Sequence, residues 1–191
     1  EELFPLRLSQ GRPPFGIELR VVDEAGQELP RDGKSQGALQ CRGHWVVETY
    51  FGQETSALTA DGWFDTGDVA TLDSDGYMVI RDRTKDIIKS GGEWISTVDL
   101  EGIALSYPGV AMAAAIGAVH PKWDERPVLI AVKKPGAEVD EAMVKAYLAE
   151  RIVKWWMPDR VLFVDELPHT GTGKIQKVAL RQQFKDFVLE D

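Results

Sequence analysis

Three segments of the sequence combine glycine with charged or hydroxyl side chains, the residue types that bind sugars, phosphates and carboxylates. The first segment, residues 62–68, has the sequence GWFDTGD. A turn that holds Asp68 beside a glycine can present a carboxylate to a sugar diol, because one carboxylate accepts two hydroxyl hydrogens at once. The same residues also fit a plain Asp-Gly turn between strands, so this segment alone leaves both interpretations open.

The second segment, residues 81–95, has the sequence RDRTKDIIKSGGEWI, in which a run of charged residues precedes the paired glycines Gly91 and Gly92. Glycine has no Cβ atom, so paired glycines permit a close approach between the backbone and a ligand. The segment also lies where the hydrophobic periodicity changes, and a hinge between two domains is expected at such a place. A solvated linker followed by a β-turn would fit the same residues.

The third segment, residues 167–177, has the sequence LPHTGTGKIQK. Two glycines and two threonines ahead of Lys174 suit a loop that binds an anionic phosphate or carboxylate. The segment is not a Walker A loop, which needs a glycine where this chain has Pro168 and a serine or threonine where it has Ile175. A single Gly-Lys loop is weak support for any function by itself.

Taken together, the order and separation of the three segments resemble the adenylate-forming superfamily of acyl-CoA synthetases, luciferases and nonribosomal adenylation domains. In that family a Thr-Gly-Asp, an Arg-x-Lys-Asp and a Thr-Gly-Lys-Ile segment follow one another, as they do here. The resemblance covers essentially the whole chain and places it in the C-terminal portion of such an enzyme. Residues 89–96 (KSGGEWIS) and 154–159 (KWWMPD) look like the medium-chain fatty-acyl-CoA ligases, a group that includes enzymes acting on short thioether acids.

The resemblance implies a role in nucleotide chemistry for three residues. Asp68 would bind the ribose hydroxyls of ATP, Arg83 would also contact the nucleotide, and Lys174 would bridge the carboxylate substrate and the α-phosphate. An ammonium between two anions removes their repulsion and stabilises the charge that develops between them. The family often has glycine before the arginine, whereas this chain has Asp82, which fatty-acyl members tolerate.

The resemblance also implies a hinge and a CoA site. Lys85 falls on the hinge position, about which the C-terminal domain rotates between the two half-reactions. The implied CoA-binding residues are Gly91, Gly92, Glu93 and Trp94, with Gly92 lining the pantetheine tunnel.

The function that follows from the resemblance is an ATP-dependent, AMP-forming acyl-CoA synthetase that activates a carboxylic acid and transfers it to CoA. ATP and CoA are the implied cofactors, and Mg²⁺ is expected on ligands outside this chain. Two alternatives stay open, namely an adenylation domain that loads a phosphopantetheine carrier protein, and a non-catalytic nucleotide-binding fragment. Because the phosphate loop and acyl pocket of the family are missing, we expect the 191 residues to be inactive alone.

Composition limits the other classes of function. A formal net charge of −9 argues against nucleic acid or an anionic membrane as partner, since both require a basic surface. No run approaches the ~18 apolar residues of a membrane span, and a cytoplasmic enzyme is expected. Cys41 is the only cysteine, and His44, His120 and His169 are too dispersed for a zinc site, so no metal site is predicted.

The hydrophobic periodicity and the turn residues along the chain predict an α+β fold. Residues 1–82 are predicted as the β-rich end of a large N-terminal domain, with a barrel-like set of short strands. Its clearest element is a hairpin of residues 69–72 and 77–81, joined by Asp-Ser-Asp-Gly at residues 73–76. Strand edges left without their sheet partners could pair with another copy, so a homo-oligomer is possible.

Residues 83–191 are predicted as a compact, mobile α+β domain. Ser96 is expected to cap a helix that ends near residue 106, and Asp140 a helix that continues to residue 153. Apolar runs predict strands at residues 110–119, 128–132 and 161–164, the first of them buried on both faces. A last helix is expected over residues 178–187.

Overall fold

The computed structural model describes residues 4–185 and 187. The chain divides into two compact units, Glu1–Lys85 and Asp86–Asp191, which we call the N-terminal and C-terminal units. The boundary predicted from sequence, between residues 82 and 83, lies three residues before this division. The mixed α+β class predicted from the sequence is confirmed.

The N-terminal unit is built on one antiparallel sheet. A short helix, α1, comes first, and four strands follow in the order β1-β2-β3-β4 along both the chain and the sheet. The elements are α1 (Phe4–Arg7), β1 (Ile17–Val22), β2 (Gly37–Gly43), β3 (Phe64–Leu72) and β4 (Met78–Arg83). In the described residues β1 and β4 do not pair with each other, so the strands form an open sheet rather than a closed barrel.

The predicted hairpin joins β3 to β4. Leu72 pairs with Met78, and Asp73 Oδ1 accepts hydrogen bonds from the backbone N–H groups of Asp75 (3.0 Å) and Tyr77 (2.8 Å). Gly76 has a φ of +83°, which glycine adopts without steric cost. The hairpin is confirmed. Its first strand begins earlier than predicted, so that β3 includes the whole Thr-Gly-Asp segment, and β4 is displaced toward the C-terminus from the predicted residues 77–81.

The C-terminal unit contains a five-stranded sheet with helices packed against it. Its elements are β5 (Ile88–Ser90), β6 (Glu93–Ile95), α2 (Thr97–Leu105), β7 (Val110–His120), β8 (Asp124–Lys133), α3 (Glu141–Ala149), a 3₁₀ turn (Lys154–Trp156), β9 (Arg160–Phe163) and α4 (Lys177–Gln183). The sheet order is β6-β5-β8-β7, and β9 pairs in parallel with β8. The long antiparallel pair of β7 and β8 forms the centre of this sheet.

Two apolar clusters lie on opposite sides of β7 and β8. Because successive strand residues point to opposite faces, Ala113 and Ala115 belong to one cluster, and Ala114 and Ile116 to the other. The first cluster includes Leu100 and Ala104 of α2 and Val144 and Leu148 of α3. The second includes Ile130 of β8 and Leu180 of α4. The prediction that the apolar run of β7 is buried on both faces is therefore confirmed.

Both predicted helix caps are present. Ser96 Oγ accepts a hydrogen bond from Asp99 N at 3.1 Å, and Asp140 Oδ1 accepts one from Met143 N at 2.8 Å. The helix after Asp140 was predicted to continue to residue 153, but it ends at Ala149. The last helix begins at Lys177 and ends at Gln183; its predicted extension includes residue 186, which lies outside the described residues.

Candidate functional site

Asp68 and Arg83 are brought together in the N-terminal unit. They are register partners across β3 and β4, and Arg83 Nε lies 3.1 Å from Asp68 Oδ1. The Asp68 side chain is 18% exposed and the Arg83 side chain 59% exposed. A carboxylate has about four acceptor positions, so the ion pair leaves Asp68 able to accept further hydrogen bonds from a sugar diol.

The backbone around Asp68 is fixed by hydroxyl and carboxylate groups of the same segment. Thr66 Oγ1 donates to Leu39 O at 2.9 Å and accepts from Asp68 N at 3.2 Å. Gly67 N donates to Asp65 Oδ1 at 2.8 Å, and Gly67 has a φ of +72°, a conformation in which residues with a Cβ atom are strained. The residue types of the Thr-Gly-Asp segment therefore fix the backbone that carries the carboxylate.

Lys85 is the last residue of the N-terminal unit, and its side chain is exposed. It lies in a turn between β4 and β5. On one side of Lys85, Thr84 N donates to Gly67 O at 2.9 Å. On the other side, Asp86 is held by Arg181 of α4, with 2.9 Å between the Nη1 and Oδ1 atoms. Lys85 is thus an exposed residue whose two neighbours are held by contacts, and its role as a hinge stays a prediction.

Gly91 and Gly92 form the two-residue turn of the β5–β6 hairpin. Their φ angles are +57° and +86°, and Ser90 pairs with Glu93 across the turn. Gly-Gly between short strands is a recognised hairpin signal, and it could have identified β5 and β6, which the sequence analysis did not predict. A Cβ atom on Gly92 would meet no heavy atom within 4 Å, so its backbone is accessible.

Glu93 and Trp94 follow this turn on β6. Glu93 is exposed, and Trp94 pairs with Lys89 of β5, whose ammonium lies 5.3 Å from the centroid of the Trp94 ring. Lys89 N donates to Glu125 Oε2 at 3.1 Å. The four predicted CoA-binding residues are therefore consecutive on one hairpin, and their binding role stays a prediction.

Lys174 lies on an exposed loop in front of α4. Thr170 organises this loop, because its backbone N–H donates to Lys174 O at 2.7 Å and its Oγ1 accepts from Lys174 N at 3.2 Å. Gly173 has a φ of +81°, and its N–H donates to Thr170 O at 2.9 Å. The backbone of Lys174 is held while its side chain is exposed, which suits a lysine that must reach a ligand.

The start of α4 is fastened three residues after Lys174. Lys177 Nζ lies 2.8 Å from Glu101 Oε1 and also donates to Thr97 Oγ1, both on α2. Glu101 Oε1 in turn accepts from Ala115 N at 2.7 Å. The two lysines therefore have different environments, since Lys177 is mostly buried in a network and Lys174 is exposed.

The structure also identifies residues that sequence reasoning did not assign to the site. Trp155 packs edge-to-face on Trp123, with ring centroids 5.0 Å apart. Both rings contact the hairpin turn, because a Cβ atom on Gly91 would lie 2.8 Å from Trp123 Cε3 and 3.1 Å from Trp155 Cζ2. Arg126, on β8, was missed; a charged residue at the start of an apolar strand was the available signal.

Metal binding and membrane insertion are two further functions that the described part of the chain can be judged for. Within residues 4–185 and 187, no three histidine, cysteine, aspartate or glutamate side chains lie close enough together to hold a metal ion. None of the helices in that part of the chain is long and apolar enough to cross a membrane.

Comparison with known proteins gives consistent matches. Residues 99–174 match the family described as AMP-binding enzyme C-terminal domain. The chain is 59% identical over 181 residues to 3-methylmercaptopropionyl-CoA ligase of Ruegeria pomeroyi, covering 95% of this chain and 34% of that protein. It is 55% identical over 189 residues to medium-chain-fatty-acid–CoA ligase of Ectopseudomonas oleovorans, covering 99% of this chain and 35% of that protein.

Among solved structures, ATP-bound MatB from Rhodopseudomonas palustris matches with a TM-score of 0.82 and 35% identity, covering 94% of this chain and 36% of that one. The chain spans about a third of the length of the curated relatives it matches.

Proposed function

We propose, since the chain belongs to the adenylate-forming enzymes and carries their C-terminal domain, that the full-length protein is an AMP-forming acyl-CoA ligase. The observation that carries the proposal is the match of nearly the whole chain to two named acyl-CoA ligases at more than half of all positions. The names of these relatives support a medium-chain fatty acid or a short thioether acid as substrate. Residues 1–82 would then end the large N-terminal domain, and residues 83–191 would form the mobile C-terminal domain.

The proposed reaction has two steps. A carboxylate oxygen of the acid attacks the α-phosphorus of ATP, the bond to the bridging oxygen breaks, and pyrophosphate leaves with its electron pair. The sulfur of CoA then attacks the carbonyl carbon of the acyl-adenylate, AMP leaves with the former carboxylate oxygen, and the thiol proton passes to solvent. The two steps require different groups near the acyl carbon, which is why a hinge at Lys85 fits the proposal.

Lys174 would act in the first step. The acid and the α-phosphate are both anionic, and a cation between them removes repulsion and stabilises the charge of the transition state by several kcal/mol. A lysine suits this role because its ammonium is a compact charge on a flexible stem. The held backbone and exposed side chain of Lys174 support the assignment.

Asp68 and Arg83 would bind the nucleotide. The Asp68 carboxylate would accept hydrogen bonds from the ribose hydroxyls, while Arg83 would orient that carboxylate and add a positive charge beside the nucleotide. The relation to ATP-bound MatB supports ATP as the nucleotide. Mg²⁺ would accompany ATP on ligands outside this chain.

The β5–β6 hairpin would act in the second step. Gly92 presents accessible backbone, which permits the narrow pantetheine arm of CoA to pass close to the chain. Gly91, Glu93 and Trp94, which flank Gly92 in the sequence, would complete the contact with the pantetheine arm. We place the reaction in the cytoplasm, as the simplest setting for an enzyme that uses ATP and CoA.

The experiment that tests the proposal is acid-dependent ATP–pyrophosphate exchange by the full-length protein, with acids from short to long chain and a thioether acid. We expect exchange by the wild type and a fall of at least about a hundredfold in Lys174→Ala. Lys134→Ala, which removes another exposed lysine of the C-terminal unit, serves as the control and should exchange like the wild type.

Two results would contradict the assignments. Wild-type exchange rates in Lys174→Ala would remove Lys174 from the mechanism, and no exchange with any acid would remove the ligase activity itself. Addition of CoA then distinguishes the acceptor, because an acyl-CoA product supports the ligase, whereas exchange without thioester formation favours an adenylation domain that loads a carrier protein.

A further inference from the structure

Arg126 is a buried arginine whose guanidinium is saturated with hydrogen bonds. The residue is 8% exposed, and it lies near the start of β8. Its Nε and Nη2 atoms donate to the Asp159 carboxylate at 3.0–3.3 Å, and Nη2 also donates to Met157 O at 3.0 Å. Its Nη1 atom donates to Trp155 O at 3.0 Å and to Ser90 Oγ at 3.2 Å. All five N–H groups of the fork therefore have acceptors.

The acceptors of Arg126 lie on two other segments of the C-terminal unit. Asp159, Met157 and Trp155 belong to the segment around the 3₁₀ turn, and Ser90 is the last residue of β5. A buried charge is costly unless geometry and pairing are good, so packing alone gives little reason to place an arginine here. The planar fork of arginine fixes direction as well as distance, which suits a residue that sets the position of another segment.

Two tryptophans hold the next peptide group of the same hairpin. The peptide between Ser90 and Gly91 accepts a hydrogen bond from Trp155 Nε1 at its oxygen (3.3 Å) and donates one to Trp123 O from its N–H (3.0 Å). Trp155 is itself positioned by Arg126, which binds its backbone oxygen and lies 5.0 Å from the centroid of its ring. The hairpin is thus held on the side of Ser90 and Gly91, immediately before Gly92.

We infer that Arg126 is a positioning residue for the thioester-forming step. It fixes Ser90 and Trp155, these fix the Ser90–Gly91 peptide, and that peptide sets the position of the accessible backbone at Gly92. The inference rests on the proposed function, which assigns this hairpin to CoA. Arg126 would therefore act in thioester formation and not in adenylation, for which the proposed groups are Lys174, Asp68 and Arg83.

The test compares the two half-reactions of the full-length protein in Arg126→Lys. Lysine keeps the charge but loses the fork, so it cannot bind Ser90, Trp155 and Asp159 together. We expect kcat/KM for CoA to fall about ten- to a hundredfold, the scale of a displacement of about 1 Å in an active site. Acid-dependent ATP–pyrophosphate exchange should stay within about threefold of wild type. Arg160→Lys, at a more exposed ion pair with Glu141, is the matched control.

A second variant keeps the inference testable if Arg126→Lys fails to fold. Ser90→Ala removes only the contact between Nη1 and the Ser90 hydroxyl and leaves the Arg126–Asp159 pair in place. It should lower kcat/KM for CoA in the same direction by a smaller factor. Because Arg126 and Ser90 share a contact, the loss in the double variant should be less than the product of the single losses.

The outcomes separate this inference from the proposed function. Equal losses in exchange and in the CoA step, or no loss in the CoA step of either variant, would overturn the positioning role while leaving the ligase in place. Absence of exchange in the wild-type protein would instead overturn the proposed function, and this inference with it.

Discussion

Arg83 and Asp68 are register partners across β3 and β4, and their side chains also form an ion pair in which the Nε and Oδ1 atoms lie 3.1 Å apart. Asp68 is the more buried of the two, because its side chain is 18% exposed and that of Arg83 is 59% exposed. The arginine therefore orients the carboxylate and remains accessible to a second anion. A diol and a phosphate could be bound side by side at such a pair.

Asp68→Asn should weaken nucleotide binding without unfolding the protein. Asparagine keeps the shape of the side chain but loses the charge that strengthens the proposed hydrogen bonds from the ribose hydroxyls to Asp68. We expect KM for ATP in the exchange assay to rise about tenfold or more, the scale of a lost charge-assisted hydrogen bond. Asp75→Asn, in the exposed turn of the same hairpin, should leave KM unchanged. An unchanged KM in Asp68→Asn would remove this carboxylate from the nucleotide site.

Substitutions of Lys174 and Lys177 should have different effects on the stability of the protein. Lys177→Met should lower stability by about 2 kcal/mol, because it removes the ammonium that lies 2.8 Å from the mostly buried Glu101 carboxylate. Lys174→Ala should leave stability unchanged, since that side chain is exposed. Thermal denaturation of the two full-length variants measures the difference. A larger loss of stability in Lys174→Ala than in Lys177→Met would show that the two environments are wrongly described.

The elements predicted best are those specified by local chemistry. Ser96 and Asp140 were identified as caps because their side chains bond to backbone three residues ahead, an interaction that involves no other part of the chain. The β3–β4 hairpin was predicted because Asp73 and Gly76 specify its turn. The continuous apolar run of β7 was equally readable, because both faces of the strand are buried against apolar clusters.

The features that were missed depend on contacts between distant segments. Strands β5 and β6 have three residues each, so the paired glycines between them were their one local signal, and their turn is also held by a hydrogen bond from Gly91 N to Trp123 O, which is remote in sequence. Arg126 was missed for the same reason, since its acceptor at Ser90 is 36 residues away. The helix α3 ends at Ala149, before its predicted residue 153, and the chain then enters the segment around the 3₁₀ turn that supplies the other acceptors of Arg126. Spacing within one segment carries no information about such contacts.

Gly91→Ala should destabilise the protein more than Gly92→Ala. Both glycines have positive φ angles, so each alanine costs about 1 kcal/mol in backbone strain. Only Gly91 adds a collision, because its new Cβ would lie 2.8 Å from Trp123 and 3.1 Å from Trp155. Thermal denaturation of the full-length variants should rank them in this order. Equal midpoints would mean that the tryptophan pair can move aside without cost.

Glu141 should make stability fall at acid pH. Burial raises the pKa of its carboxyl. Hydrogen bonds from Lys145 and from Val161 N, together with the charges of Lys145 and Arg160, lower that pKa by more than burial raises it, so the net pKa lies below the ordinary value of 4.5. A lowered pKa in the folded state contributes stability at pH values above 4.5, and that contribution is lost as the pH falls through the folded-state pKa. Glu141→Gln should remove it.

The measurement is the denaturation midpoint of wild type and Glu141→Gln at a series of pH values. The wild type should be the more stable at neutral pH, and the difference should shrink as the pH falls below 4.5, because protonation then removes the same ion pairs that the substitution removes. Glu138→Gln, at an exposed glutamate just before α3, is the control and should give a small difference at neutral pH. A gap between wild type and Glu141→Gln that is constant across the series would mean that this carboxylate holds α3 against β9 by shape rather than by charge.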